Sequence, residues 1–172
     1  MNNDSQQHSG GMTMAGAKED REKAATLPKG DVIRILYEQH AHIQDLFAGV
    51  EKASGAGRQE AFDTLTEFLI AHETAEQAVL RPVSRETAGD DVVQARLQEE
   101  RKASQVIAEL KKLDVNSADF DRMFTEFKQA VVDHAEHEEN DEFPSVLDER
   151  DEDERRVMGE RLSKAEATAS TR

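Results

Sequence analysis

Cysteine and tryptophan are absent from the 172 residues, tyrosine occurs once and proline three times. Without cysteine there are no disulfides, no thiolate zinc sites and no thiol nucleophile, so any redox chemistry needs a metal or a bound cofactor. No apolar run approaches the roughly 18–20 residues of a membrane span. Positive charge is scarce too: 22 Lys and Arg stand against 37 Asp and Glu, a formal net charge of −15. A chain this acidic repels phosphate backbones and anionic lipid, which argues against nucleic-acid and membrane partners. The N-terminal stretch lacks an apolar core of signal-peptide length, and the expected location is the cytoplasm. A hydrolase triad has no support, because the serines fall in loops, in the tail or at a solvated helix start, or at Ser104 with no histidine nearby.

What is present is helical periodicity. Residues 1–30 are polar and without period, and a disordered tail is expected there. Asp31 is placed to cap a first helix, along which Val32, Ile35, Leu36, Ile43, Leu46, Phe47 and Val50 recur at helical spacing. The stretch Ser54 to Gly57 breaks it. A second helix carries Phe62, Leu65, Phe68, Leu69, Val79 and Leu80 and is expected to end at Pro82. A third carries Val93, Leu97, Val106, Ile107, Leu110 and Leu113, and a fourth carries Phe120, Met123, Phe124, Phe127, Val131 and Val132. Residues 148–172 suggest a short, charged terminal helix that frays. Strand-like alternation is missing. The pattern predicts an all-α fold, an antiparallel up-down four-helix bundle over residues 31–147 with a disordered N-terminal tail and a short C-terminal helix.

The chain also repeats. "HETAEQAVLRP" (His72 to Pro82) and "HAEHEENDEFP" (His134 to Pro144) share the form H-x-x-x-E-x-x-x-x-x-P at an offset of 62 residues, and that offset also pairs Phe62 with Phe124, Leu65 with Phe127 and Leu69 with Val131. The first and third helices repeat at an offset of 60, which sets His40 against Glu100. His and Glu four residues apart share one helix face, about 6 Å apart along the axis, a spacing that suits ligands reaching one ion or two neighbouring ions. The apolar stripes aim His40, His72, Glu76, Glu100, His134 and Glu138 into the bundle. Charges buried there are costly unless paired or bound to metal. Three imidazoles and three carboxylates suit iron, manganese or zinc. The bland alternative for each pair alone is a surface hydrogen bond, and for His40 a satisfied core histidine. His8 and His42 have no expected site role, His137 is a ligand, an outer partner or a solvated neighbour, and Glu73 and Glu139 follow the inner face less well.

This order of His40, His72-x-x-x-Glu76, an inward residue on the third helix and His134-x-x-x-Glu138 resembles the hemerythrin-like (HHE cation-binding) domain family, from about Asp31 to about Leu147. The resemblance implies a four-helix bundle holding a non-haem, oxo-bridged di-iron centre, with zinc and manganese the weaker alternatives. It implies small ligands such as O2, peroxide or NO, roles in oxidative stress or iron handling, and catalase-like turnover or sensing. Whether the chain is an enzyme stays open, and no catalytic residue or protein partner is assigned. Departures from the family pattern are Glu100 (or Glu99) where the third helix normally has histidine, Gln77 where a second glutamate is frequent, and Arg81 where an aromatic residue often precedes the proline. A carboxylate in place of an imidazole should favour the oxidised metal. The alternative is a non-catalytic metal-binding or structural bundle, or an adaptor.

Overall fold

Asp31 opens the long helical part of the chain as the sequence predicts: its Oδ1 accepts the Ile33 N–H at 2.9 Å, satisfying a donor that the first helical turn leaves unpaired. The structure, a computed structural model, describes residues 9–170, with side chains from residue 16. They form α1 (Ser9–Ala25), α2 (Val32–Lys52), α3 (Gly55–Thr87), α4 (Asp90–Leu110), α5 (Ala118–Asp141), α6 (Phe143–Glu149) and α7 (Glu152–Ala169), with no strand among the described residues. None of these helices is long and apolar enough to cross a membrane. Contacts run from α2 to α3, α3 to α4, α4 to α5 and α5 back to α2.

The apolar stripes of α2–α5 meet in two clusters. One holds Phe47, Phe62, Leu65, Leu69, Ile107, Leu110, Phe120, Phe124, Phe127 and Val131. The repeat is visible inside it, since Phe62 and Phe124 meet with ring centroids 6.2 Å apart and are both buried. The other cluster holds Val32, Ile33, Leu36, Ala75, Leu80, Phe143 and Val146, and is completed from α7 by Met158 and Leu162. Between the two clusters lies a layer of buried polar side chains.

Three expectations need correction. Over residues 1–30 the structure has a helix, α1, where a disordered tail was expected; residues 1–8, including His8, and residues 171–172 lie outside the described residues. Ala17, Asp20 and Ala24 form its buried face, and polar contacts attach it: Gln44 donates to Asp20 at 2.9 Å, Lys23 to Glu139 at 3.2 Å, and Arg21 pairs with Asp45. Small and charged residues carry no apolar period, so the pattern was silent.

The second correction concerns Pro82. It does not end α3, which runs on to Thr87, whereas the repeat-related Pro144 sits in the first turn of α6, where a missing N–H costs nothing. The extra α3 turn reaches α6, where the Thr87 and Ser145 hydroxyls meet at 3.1 Å, and Ser84 in it is buried.

The third correction is α7, an 18-residue helix with a full capping box at Asp151 and Glu154 that closes the second cluster rather than a short fraying end. Arg155 fastens it by donating to Asp31 at 2.7 Å.

Gly159 is where α7 approaches most closely: a Cβ there would stand 2.1 Å from the Gly30 carbonyl oxygen and 3.0 Å from Ile35 Cδ1. Gly159→Ala is therefore expected to lower stability by about 1–3 kcal/mol despite the better helix propensity of alanine. Gly49→Ala, with nothing within 4 Å of the new methyl, should raise it by up to about 1 kcal/mol. Denaturant melts of both variants check this, and equal shifts of the same sign would overturn the docking argument.

Candidate metal centre

The polar layer is built by one turn from each of α2–α5. His40 comes from α2, His72 and Glu76 from α3, Glu100 from α4, and His134 and Glu138 from α5. His72 and Glu76 follow Leu65 and Leu69 on the buried stripe of α3, and Glu138 follows Phe127 and Val131 on α5. All six sequence-predicted residues converge. His40, His72, Glu76 and Glu138 place one ligand atom each within 4.8 Å of one another, and so do Glu76, Glu100, His134 and Glu138. Glu76 and Glu138 belong to both groups and are fully buried.

Each inner imidazole is held by its Nδ1. The partner is Glu139 for His40 (2.9 Å), Gln39 for His72 (2.8 Å) and Glu99 for His134 (2.7 Å). This leaves each Nε2 facing the carboxylates: His40 toward Glu138 Oε2 at 3.2 Å, His72 toward Glu76 Oε1 at 3.3 Å, and His134 toward Glu138 Oε1 at 3.1 Å. Holding one ring nitrogen to orient the other is the usual support of a metal-binding histidine.

The layer also contains a cation. The Arg81 guanidinium donates to Glu100 Oε1 from Nε (3.1 Å) and from Nη2 (2.6 Å), and to both oxygens of Glu142 from Nη1 (3.0 and 2.9 Å). Its Nη2 also reaches Glu76 Oε2 at 3.5 Å and pairs with Glu138 Oε1. Gln77 donates to the other oxygen of Glu100 at 2.5 Å.

Four buried side-chain atoms of the layer have no hydrogen-bond partner: His40 Nε2, Glu76 Oε1, His134 Nε2 and Glu138 Oε2. Buried polar groups are almost always paired. Four orphans that are all nitrogen or carboxylate oxygen, and all turned into one place, are what a cation-binding donor set leaves when no ion is counted among its partners.

A family model described as the hemerythrin HHE cation binding domain matches residues 31–146. The chain belongs to this family. A crystal structure of a hemerythrin HHE cation binding domain-containing protein from Mycobacterium kansasii is similar over 80% of this chain and 85% of that one, with a TM-score of 0.72 and 21% identity. Among curated proteins no sequence matches.

Within this hemerythrin domain the protons are unevenly placed. Burial pushes the His40 imidazolium down, but its contacts with Glu138 and Glu139 more than reverse that, leaving it at about 10. His72, buried beside His40 and bonded to an uncharged amide, is held down at about 3. Burial, then Glu138, raises Glu76 well above the usual carboxylate range. Burial would raise Glu138 as well, yet His134 and Arg81 hold it well below that range.

The residues left ambiguous by sequence resolve as follows. Glu100 is buried with the donors, whereas Glu99 ties His134 and also the half-exposed His137 (3.0 Å) from outside. Glu139 supports His40, and His42 is exposed, edge-on to Phe68. Glu73 is buried, against the expectation that it follows the inner face poorly, and it lines a cavity beside α3. Gln39, Arg81 and Glu142 were not foreseen as site residues. Arg81 left one signal, since the 62-residue offset places it on Phe143, a fully buried position.

His72 sets a pH dependence. Its folded pKa lies below the ordinary 6.5, so its contribution to the stability of the metal-free protein is present above pH 6.5 and is lost as pH falls toward about 3. One proton gives a limb of about 1.4 kcal/mol per pH unit. His72→Gln, which keeps an amide near Gln39, should make the stability curve shallower between pH 6 and 4 by about that slope. Coincident wild-type and variant curves from denaturant melts would rule out this role.

Proposed function

We propose that this chain is a non-haem iron protein whose centre takes up small oxidants and turns over peroxide, with O2 and NO as competing ligands. Its carrier is an antiparallel up-and-down bundle of α2–α5 within residues 31–147, working in the cytoplasm. The observation that carries this reading is a cavity of about 130 Å³ that touches His40, His72, Glu73, Glu100 and His134 at its polar end and is walled by Leu69, Val106, Phe127 and Val131. A volume of that order admits a diatomic molecule or peroxide with room for several more atoms.

The residues that would hold iron are His40, His72, Glu76, Glu100, His134 and Glu138, in two overlapping groups, and the family resemblance made a di-iron centre the expectation. Bound iron would supply the electron changes and an open coordination position. The chain's own part is to orient and to move protons. Glu139, Gln39 and Glu99 fix the three rings through Nδ1, so that their Nε2 atoms face inward. Glu73 borders the same cavity, and burial, then the neighbouring Glu100, pushes its carboxyl up to about 8. It therefore holds a proton at neutral pH, beside the space that a peroxide would fill, and is suited to act as a general acid there.

The direct test is to load the protein with ferrous iron under anaerobic conditions, remove excess metal, and measure retained iron and peroxide consumption. The wild type is expected to retain iron and consume peroxide, and His72→Ala combined with His134→Ala to lose both. A wild type that retains no iron would return the molecule to a structural or adaptor bundle.

Glu73→Gln should separate the steps. Iron retention is expected to stay unchanged while peroxide turnover drops about 10²-fold or more, the usual size of a general-acid contribution. Unchanged turnover would remove Glu73 from the mechanism.

A further inference from the structure

The two donor groups are not equivalent toward a cation. In the first, the oxygens facing the histidines are Glu138 Oε2, 3.2 Å from His40 Nε2, and Glu76 Oε1, 3.3 Å from His72 Nε2. Both oxygens, and His40 Nε2, lack any hydrogen bond. In the second group the same two carboxylates turn their other oxygens to Arg81, whose Nη2 reaches Glu76 Oε2 at 3.5 Å, Glu100 Oε1 at 2.6 Å and Glu138 Oε1. Of its four members, only His134 is untouched by the guanidinium. Each shared carboxylate is thus split, with one oxygen free for an ion and the other taken by a protein cation.

We propose that this chain holds a single metal ion, in the group His40, His72, Glu76 and Glu138, and that Arg81 is a built-in positive charge filling the place of the second. This rests on the metal-centre reading above and narrows its di-iron expectation.

Three features make Arg81 a fixture rather than a visitor. Both oxygens of the fully buried Glu142 grip Nη1, and Glu100 accepts from Nε as well as Nη2. A planar guanidinium bound in this bidentate way is positioned as well as attracted. Its charge is also permanent, because a guanidinium is not deprotonated within a protein. A second divalent ion would have to displace it from three carboxylates and then sit beside it in a medium that screens charge poorly.

The repeat shows how this asymmetry arises. Phe143, 62 residues after Arg81, is fully buried and stacks on His40 with centroids 5.6 Å apart. In one half an apolar ring backs an imidazole and leaves the carboxylate oxygens free. In the other, the repeat-related position, inside the continuous α3, delivers a cation to them.

The test uses the full chain and manganous ion. Saturating equilibrium dialysis of the wild type should give one ion per chain, with the resolved hyperfine spectrum of an isolated ion in electron paramagnetic resonance. Arg81→Met, of similar length and no charge, should raise the count to two and give the broadened spectrum of a coupled pair. Arg81→Lys, which keeps the charge, should stay at one. Two ions per wild-type chain would overturn the proposal, as would a single ion in a folded Arg81→Met.

Should Arg81→Met fail to fold by circular dichroism, Glu100→Gln decides the matter. Glu100 belongs only to the second group, so the isolated-ion spectrum and the count of one should survive this change. Loss of the single ion in a folded Glu100→Gln would place it in the second group and overturn the proposal. No ion in the wild type would instead defeat the metal-centre reading itself.

Discussion

Everything in the core of this molecule answers to four buried carboxylates, Glu76, Glu100, Glu138 and Glu142, set between two apolar clusters. Anions removed from water cost several kcal/mol each unless compensated. The fold answers with positive charge and with donors: Arg81 touches all four, His40 and His134 face Glu138, and Gln77 bonds Glu100. What remains without a hydrogen bond is Glu76 Oε1, Glu138 Oε2 and the Nε2 atoms of His40 and His134, three of the four lying in the group proposed to take the ion. The phenylalanine-rich cluster on one side and the α6–α7 cluster on the other keep the helices from spreading to let water in. Apolar packing thus preserves an electrostatic deficit, and a metal ion is the natural way to make it good.

The compensation extends outward in steps. Glu139 holds His40 Nδ1 and in turn accepts from Lys23 of α1, while Asp20 of the same helix lies against Glu139 and is pushed up to about 6, by burial first and that neighbour next. On the opposite side Glu99 links His134, His137 and Arg96, and Arg96 reaches Asp141. The helix α1 is therefore a support of the His40 side of the layer rather than an appendage.

The spacing of polar residues on apolar stripes was legible in the sequence, and with it the six converging residues and the helical class. Periodicity reports which face of a helix is buried, and His72, Glu76, His134 and Glu138 lie on those faces. It reports nothing of a helix docked through alanine and charge, hence the silence over α1, nor of α7, whose apolar residues at Met158, Leu162 and Ala165 are too sparse to stand out among its charges. Pro82 misled because its rule is local, while the turn after it is held by tertiary contact with α6 through Thr87 and Ser145. Arg81 was visible as a departure from the family pattern, yet its partners Glu100 and Glu142 lie 19 and 61 residues away along the chain. No local rule connects them.

The repeat explains the framework, and the breaks in it explain the chemistry. Wherever the halves agree, as at Phe62 and Phe124, Leu69 and Val131, or Glu76 and Glu138, the residues pack the core or bridge the layer. At four places where they disagree, a charge has moved: Arg81 against Phe143, Gln77 against Glu139, Glu100 against His40, Glu73 against Ala135. A symmetric pair of halves would present two like sites and no preferred side. Here the cation stands on the Glu142 side of the layer, and the carboxyl of Glu73 lies on the side of the cavity. On the proposed reading, a small oxidant entering through that cavity would meet the imidazoles and the Glu73 carboxyl before the guanidinium, so the asymmetry of the halves would set its direction of approach.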